Sequence, residues 1–159
     1  MDEKEFNKLF KKDLYQVFLF SCPAPIPINF ASHYWFVVNN KGKLSRWEVL
    51  ARQINIKERW GHLHKNIAKP TRGMELFLYI NWFFRKSKLN GKISGKKGSF
   101  VEKMVKFIEK SPDNYPYCEK YNSLGPNSNT YIQWVINKFP KSSFKMSRRA
   151  IGKNYKVSR

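Results

Sequence analysis

A chain of 159 residues has the length of a single domain, for which folding buries about 70% of the surface that the unfolded chain exposes. Its apolar fraction of 42%, with thirteen Phe, eight Tyr and five Trp, excludes an intrinsically disordered protein. The net charge of +20 predicts an anionic partner, namely nucleic acid, an anionic lipid surface or an acidic protein. The alternative is a genome whose composition favours Lys and Asn, because net charge informs on association rather than on fold.

Cysteines and histidines are too few to predict a metal site or a disulfide framework. Cys22 and Cys118 allow at most one bridge and no paired-cysteine zinc site. His62 and His64 alternate as on a strand, but no further Cys or acidic cluster lies near them in sequence, so we predict no metal and no other cofactor. The chain has no run of eighteen apolar residues, and the apolar stretch 14–20 is too short for a signal peptide, which favours a cytoplasmic location.

The N-terminal third of the chain predicts a charged arm followed by strands. Residues 1–13 are expected to form a short helix or a frayed arm. Residues 14–20 are rich in aromatic and branched side chains and precede the prolines of 22–27, which indicates a strand. The runs 30–38 and 44–51 flank a glycine-containing turn and predict a β-hairpin.

The middle of the chain, 57–97, gives a mixed signal. Residues 76–84 are compatible with a strand or with a buried helix, and the aromatic residues 82–84 could stack on bases or belong to the core. Residues 85–97 contain six Lys or Arg, two Gly and no acid, which predicts an exposed basic loop that is either an anion-binding segment or a solvated connector. The candidate anion-binding residues of this loop and of the C-terminal segment are Arg85, Lys86, Lys88, Lys92, Lys96, Lys97, Arg148 and Arg149.

Two helices are predicted in the last third. Ser99 is a good N-cap for an amphipathic helix that ends near Ser111. A second helix should run from 127–130 to about Phe139, and apolar side chains cover most of its circumference, which predicts a central position. In the C-terminal segment, 150–152 is an apolar patch that could dock on the domain. The expected organisation is an arm (1–13), one domain (14–155) and a tail (156–159).

The polar start of the second helix is the best candidate for a catalytic site. Unpaired amides and the helix dipole favour developing negative charge at such a position. Ser128 could act as a nucleophile, with His33 as its base, Glu48 as the group that orients the base, and an amide of Ser128 or Asn129 in the oxyanion hole. The alternative is structural, because Asn, Ser and Thr are the preferred caps of any helix and a lone histidine on a strand usually has a packing role. The residues expected to line the site are Asn127, Asn129, Thr130, Trp35 and Gly152.

Two sequence boxes resemble those of a bacterial family of uncharacterised function. The boxes are Gly125–Thr130 (GPNSNT) and Ala150–Tyr155 (AIGKNY), and the likeness extends to 33–35 and 46–48. The similarity runs from about Tyr15 to Tyr155.

A more distant resemblance suggests a fold and a chemistry. A histidine on a strand, an acid on the next strand and the run 127–131 (NSNTY) at a helix start are similar to circularly permuted papain-like, NlpC-type peptidases. Ser128 stands where those proteins carry the nucleophilic cysteine, and a hydroxyl is far less acidic than a thiol. Cys118 lies ten residues before Ser128, in the lead-in, and is expected to be a packing residue.

The papain-like resemblance implies an α+β domain in which an antiparallel sheet packs against a central buried helix. It also implies a hydrolase or acyltransferase that acts on an amide, ester or thioester through Ser128 and His33. The alternative is a catalytically silent papain-like binding module whose basic surface holds nucleic acid or an anionic membrane.

Overall fold

A six-stranded antiparallel sheet forms the centre of the protein, with the strand order β4-β5-β3-β2-β1-β8. The computed structural model describes residues 1–77 and 80–156, and the side chains of 80–82 lie outside this description. In the described part of the chain, β6 and β7 pair as a separate hairpin. The strands are β1 (Tyr15–Pro23), β2 (Ser32–Asn40), β3 (Lys43–Val49), β4 (Arg59–Trp60), β5 (Leu63–Lys65), β6 (Arg72–Phe77), β7 (Ile80–Lys86) and β8 (Lys88–Gly95).

The described helices follow the strand-rich part of the chain, except for the first. They are α1 (Glu3–Leu9), α2 (Phe100–Glu109), α3 (Ser111–Asn114) and α4 (Ser128–Lys138), with a short 3₁₀ turn at Pro140–Ser142. The predicted α+β class, with an antiparallel sheet, is therefore confirmed. None of the described helices is long and apolar enough to cross a membrane.

Helices α2 and α4 cover one face of the sheet, which we call the helix face. Strand residues alternate between the two faces, and Tyr34, Phe36 and Val38 of β2 point to this one. The aromatic ring of Tyr131 from α4 packs on the ring of Phe36, and Met104 of α2 is fully buried in the same cluster. Each such side chain contributes roughly 1.5–3 kcal/mol through burial, which explains why the last third of the chain docks here.

The opposite face, which we call the hairpin face, carries the other set of strand side chains. Phe18, Phe20 and Val37 point to it, and Phe6 of α1 packs against the two phenylalanines. The N-terminal arm is thus a docked helix rather than a frayed segment. The β6–β7 hairpin contacts the same side of the sheet, where the amide of Met74 donates to the Sγ of Cys22 at 3.2 Å.

The prediction of an exposed basic loop at 85–97 was wrong. Arg85 and Lys86 end β7, and residues 88–95 form β8, which pairs with β1 along one edge of the main sheet. The reason is the partly buried Leu89 and Ile93, which pack on the hairpin face and the helix face respectively and anchor the strand between its lysines.

In the ambiguous stretch 76–84, the described residues belong to strands β6 and β7. Strand β6 ends at Phe77 and β7 begins at Ile80, while residues 78–79 lie outside the described part of the chain. The apolar patch at 150–152 docks as predicted, because Ala150 is 1% exposed. Of the predicted tail, residues 157–159 lie outside the described residues.

Candidate functional site

The start of helix α4 is closed by its own cap. The Oδ1 atom of Asn127 accepts hydrogen bonds from the amides of Asn129 (3.0 Å) and Thr130 (3.2 Å), and the hydroxyl of Thr130 accepts from the Asn127 amide. Backbone amides at the start of a helix are the donors that an oxyanion would use. The Asn129 amide, one of the two predicted oxyanion-hole donors, is therefore already paired.

The C-terminal segment locks onto the same turn. The side-chain amides of Asn127 and Asn129 both donate to the carbonyl oxygen of Ile151, at 3.2 and 2.8 Å, and the Thr130 hydroxyl donates to the Gly152 carbonyl at 2.7 Å. Gly152 has a φ of 87°, and a Cβ atom on it would lie 2.6 Å from the Oδ1 of Asn127. The two sequence boxes are thus the two halves of one interlock, which we call the box junction (Asn127–Thr130 with Ala150–Gly152).

The box junction also reaches the sheet. The Asn129 side chain donates to the carbonyl of Ser32 at 2.9 Å, and the amide of Ser32 donates to the carbonyl of Arg149 at 2.9 Å. The first residue of β2 is consequently held by helix α4 on one side and by the C-terminal segment on the other. Four of the five residues predicted to line a site, all but Trp35, contribute polar atoms to these contacts, and the Oδ1 atom of Asn129 is buried without a hydrogen-bond partner among the described residues.

Ser128 lies in this buried turn without a catalytic partner. Its exposed fraction is 5%, and its hydroxyl makes no hydrogen bond to any residue within 1–77 or 80–156. Residues of the terminal box and Leu124 line a groove of about 360 Å³, and Asn127 donates to the carbonyl of Ile151, one of the lining residues. Arg148 is among the residues lining that groove. The helix start thus has a neighbouring groove, but no base among the described residues binds the Ser128 hydroxyl.

His33 belongs to a different cluster, on the hairpin face. Its Nε2 atom lies 2.8 Å from Oε2 of Glu48, so the structure brings together the predicted base and the predicted orienting acid. Arg46 binds the same carboxylate with two nitrogens, Nε to Oε1 at 2.5 Å and Nη2 to Oε2 at 2.9 Å. Glu48 is 1% exposed, and although burial raises its pKa, the Arg46 charge and the His33 hydrogen bond lower it to about 2.

The sheet separates His33 from Ser128. Cross-strand partners point to the same face, and His33 stands opposite Cys22 while Trp35 stands opposite Phe20, both on the hairpin face. Helix α4 packs on the helix face. The structure therefore does not bring the predicted nucleophile and the predicted base together, because strand alternation directs the imidazole away from the helix that carries Ser128.

Trp35 is a core residue rather than a site-lining one. Its ring stacks on Phe20 at 5.7 Å, and the Arg46 guanidinium carbon lies 4.2 Å from the ring centroid on the hairpin face. The indole Nε1 donates to the carbonyl of Pro70 at 3.0 Å. The Arg46 guanidinium also donates to the carbonyls of Lys69, at 2.9 Å, and of Arg72, so the segment before β6 seals the cluster.

Arg46 is the member of this cluster that the sequence arguments left without a role. The sequence nevertheless indicates that Arg46 lies beside Glu48, because residues two apart on a strand share a face. A buried carboxylate on a strand requires a cationic partner, and the residue two positions away on the same strand is well placed to supply it.

The predicted basic residues lie at the surface, with one exception. Lys86, Lys88, Lys92, Lys96, Lys97 and Arg148 are exposed, and none of them forms an ion pair within the described ranges. Arg149 is exposed as well, and its guanidinium donates to the carbonyls of Asn29 and Phe30. Arg85 is the exception, because its Nε and Nη2 atoms are buried.

His62 and His64 have structural roles. The Nδ1 of His62 lies 2.9 Å from the carbonyl of Leu50, and the Nδ1 of His64 lies 2.8 Å from the carbonyl of His62. Within residues 1–77 and 80–156, no three His, Cys or acidic side chains gather as a metal site requires. Cys118 is half-buried and donates to the carbonyl of Tyr115, in keeping with a packing role.

Comparisons with known proteins place the chain by family. No curated protein and no solved structure matches it. A family model matches residues 15–155, which covers both boxes, the β2–β3 hairpin and helix α4. The chain therefore belongs to the family described as proteins of unknown function DUF3750.

Proposed function

We propose that this protein is a catalytically silent binding module whose basic surface holds single-stranded nucleic acid. The observation that carries the proposal is the set of exposed, unpaired cations at and beside strand β8, namely Lys86, Lys88, Lys92, Lys96 and Lys97. We call this set the β8 lysines. With a net charge of +20, phosphate neutralisation is the interaction that this surface offers most readily.

The position of the β8 lysines supports an extended partner. Strand β8 is at one end of the sheet order, so its outer edge is free of strand partners in the described part of the chain. Phe83 of β7 is 63% exposed, and exposed aromatic rings are what base stacking uses. Of the other two aromatic residues proposed for stacking, Phe84 is partly buried with the Arg72 guanidinium carbon 3.5 Å from its ring centroid, and Trp82 lies outside the described side chains.

A purely structural explanation exists for lysines on an edge strand, because they prevent edge-to-edge association of sheets. Only the binding explanation predicts an affinity for nucleic acid that falls with salt and that depends on the β8 lysines. Binding of single-stranded nucleic acid weakens with salt with a slope of about −0.7 per phosphate neutralised.

We expect a fluorescently labelled single-stranded oligonucleotide to bind with a log–log salt slope near −3.5, since five lysines are available at about −0.7 each. The double variant Lys88→Gln/Lys92→Gln should bind more weakly and with a slope less steep by about 1.4. Fluorescence anisotropy between 50 and 200 mM salt measures both quantities.

The matched control is Lys57→Gln/Lys120→Gln, which removes the same charge near the opposite edge of the sheet. Lys57 precedes β4, and Lys120 follows the Cys118 carbonyl that accepts from His62. An equal loss in both double variants would show that total charge, and not this surface, binds the oligonucleotide. Binding to vesicles of anionic lipid but not to the oligonucleotide would replace nucleic acid with a membrane as the partner.

We also propose a distant papain-like ancestry for this domain. Helix α4 begins with the NSNTY run and packs on an antiparallel sheet that also carries His33 and Glu48, in the expected order along the chain. The orientation of His33 departs from the pattern that a papain-like hydrolase requires. A common ancestry with loss of chemistry accommodates both observations, and it is the silent module rather than the hydrolase that the geometry supports.

A serine-reactive fluorophosphonate probe tests the hydrolase directly. We expect no labelling of Ser128, because its hydroxyl contacts no base among the described residues and a free hydroxyl is a weak nucleophile. In-gel fluorescence of the wild type and of Ser128→Ala provides the measurement. Labelling of the wild type that disappears in Ser128→Ala would restore the serine to a catalytic role and contradict the silent module.

A further inference from the structure

Arg85 has a guanidinium edge that is buried and unused. Its Nε and Nη2 atoms are shielded from solvent and have no hydrogen-bond partner in the protein as described. A charged donor in this state is strongly unfavourable, and buried polar groups in native proteins are almost always paired. The residue as a whole is only partly buried, so solvent lies close to this edge.

Arg46 shows what the same two nitrogens do when they are paired. Its Nε and Nη2 hold the two carboxylate oxygens of Glu48 at 2.5 and 2.9 Å. This parallel, two-bond arrangement is the one in which guanidinium matches a carboxylate or a phosphate best. The free edge of Arg85 consists of the equivalent atoms.

The free edge lies where the β6–β7 hairpin meets the main sheet. The backbone of Arg85 on β7 packs so closely on Gly73 that a Cβ atom there would lie 2.8 Å from the Arg85 carbonyl carbon. Burial raises the pKa of the Cys22 thiol on β1 to about 11, while the charges of Arg46 and of Arg85 act in the opposite direction. The amide of Met74, on the partner strand β6, donates to this thiol at 3.2 Å, so the hairpin that carries Arg85 meets β1 there.

The protein supplies no carboxylate for this edge within its described residues. Glu48 is bound by Arg46 and His33, and the acid of strand β6, Glu75, lies 3.5 Å from Arg52. Both of these carboxylates are therefore already bound to other cations. The missing partner has the chemistry of an oxyanion.

We propose that Arg85 binds the carboxylate or phosphate group of a small ligand through Nε and Nη2, at the junction of the β6–β7 hairpin and the main sheet. The site is separate from the β8 lysines, because it uses the buried Nε–Nη2 edge of a guanidinium rather than exposed ammonium groups. Loss of oligonucleotide binding would leave this proposal intact, and the reverse is also true.

Thermal unfolding of the full chain at pH 7 and constant ionic strength tests the site with inorganic phosphate, with acetate and with chloride alone. We expect phosphate or acetate to raise the Tm above its value in chloride, by roughly 5 °C at 100 times the dissociation constant. A rise with phosphate alone, or with acetate alone, identifies the chemistry of the ligand.

Arg85→Met should abolish the rise, and Arg85→Lys, which keeps the charge without the fork, should retain less than half of it. Lys57→Gln, which removes one exposed charge outside the β8 lysines, should keep the full rise. In chloride alone we expect the Tm of Arg85→Met to equal or exceed that of the wild type, because the change removes an unpaired buried charge. An absent rise in the wild type, an equal rise in Arg85→Met, or a Tm several degrees lower for Arg85→Met in chloride would each overturn the proposal.

Discussion

Replacement of Glu48 by Gln should lower the free energy of unfolding by about 3–5 kcal/mol, as measured by urea denaturation at pH 7. The carboxylate is 1% exposed and is held by two nitrogens of Arg46 and by His33. Gln preserves the size of the side chain, so the expected loss comes from charge. It leaves the Arg46 guanidinium buried on the hairpin face without its counter-charge, which is the costly way to break a buried ion pair.

The control for this change is Glu58→Gln, which breaks a surface ion pair. The Glu58 carboxylate lies 2.5 Å from Lys65, and 39% of the Glu58 side chain is exposed. Ion pairs at such positions contribute about 0–1 kcal/mol, so this variant should stay close to the wild type. Similar losses in the two variants would show that the Arg46–Glu48 pair is no more important than a surface contact.

The same pair should govern unfolding in acid. The pKa of Glu48 falls from its ordinary value of 4.5 to about 2 in the folded protein, so the unfolded chain binds the proton more readily. The stabilisation by ionised Glu48 is complete above pH 4.5 and is lost as the pH falls through about 2. The difference in unfolding free energy between the wild type and Glu48→Gln should therefore narrow over this interval.

Gly152→Ala should destabilise the protein by about 2–5 kcal/mol, again measured by urea denaturation. Gly152 has a φ of 87°, where a side chain costs about 1–2 kcal/mol. The new Cβ would also lie 2.6 Å from the Oδ1 of Asn127, and overpacking of this kind adds about 1–3 kcal/mol. The substitution therefore disturbs the box junction, where Asn127 caps helix α4.

Gly98→Ala separates the two contributions. Gly98 has nearly the same φ, 84°, but nothing lies within 4 Å of the position that its Cβ would take. It should cost about 1–2 kcal/mol, from the backbone alone. Equal losses in the two alanine variants would mean that the terminal segment moves away from Asn127 without cost, and that the box junction does not stabilise the fold.

Local signals were sufficient to predict several elements of the fold. Ser99 caps α2, the run that begins at Asn127 starts α4, and a glycine-containing turn joins β2 to β3, because each of these signals acts within a few residues. The same reasoning failed for β8, whose lysines obscured the apolar contacts of Leu89 and Ile93. An edge strand shows its pattern through few buried residues, and charge dominates its composition.

The relation between His33 and Ser128 required the structure because both faces of β2 are buried. Tyr34, Phe36 and Val38 form one apolar set, and His33 shares the other set with Trp35 and Val37. When a strand is apolar on both sides, alternation shows which residues share a face but not which face meets a given helix. The pairing of His33 with Glu48, in contrast, followed from the hairpin alone.

The box junction has a consequence for how the protein folds during synthesis. Asn129 of helix α4 donates to Ser32 of strand β2, and residues 149–152 bind both of them. These four residues follow the described strands and helices along the chain. During synthesis from the N-terminus, the side-chain amides of Asn127 and Asn129 lack the carbonyl of Ile151 as an acceptor until the ribosome has released that stretch. A nascent chain arrested before Ala150 should therefore stay sensitive to protease at helix α4 and become resistant only after the AIGKNY box emerges.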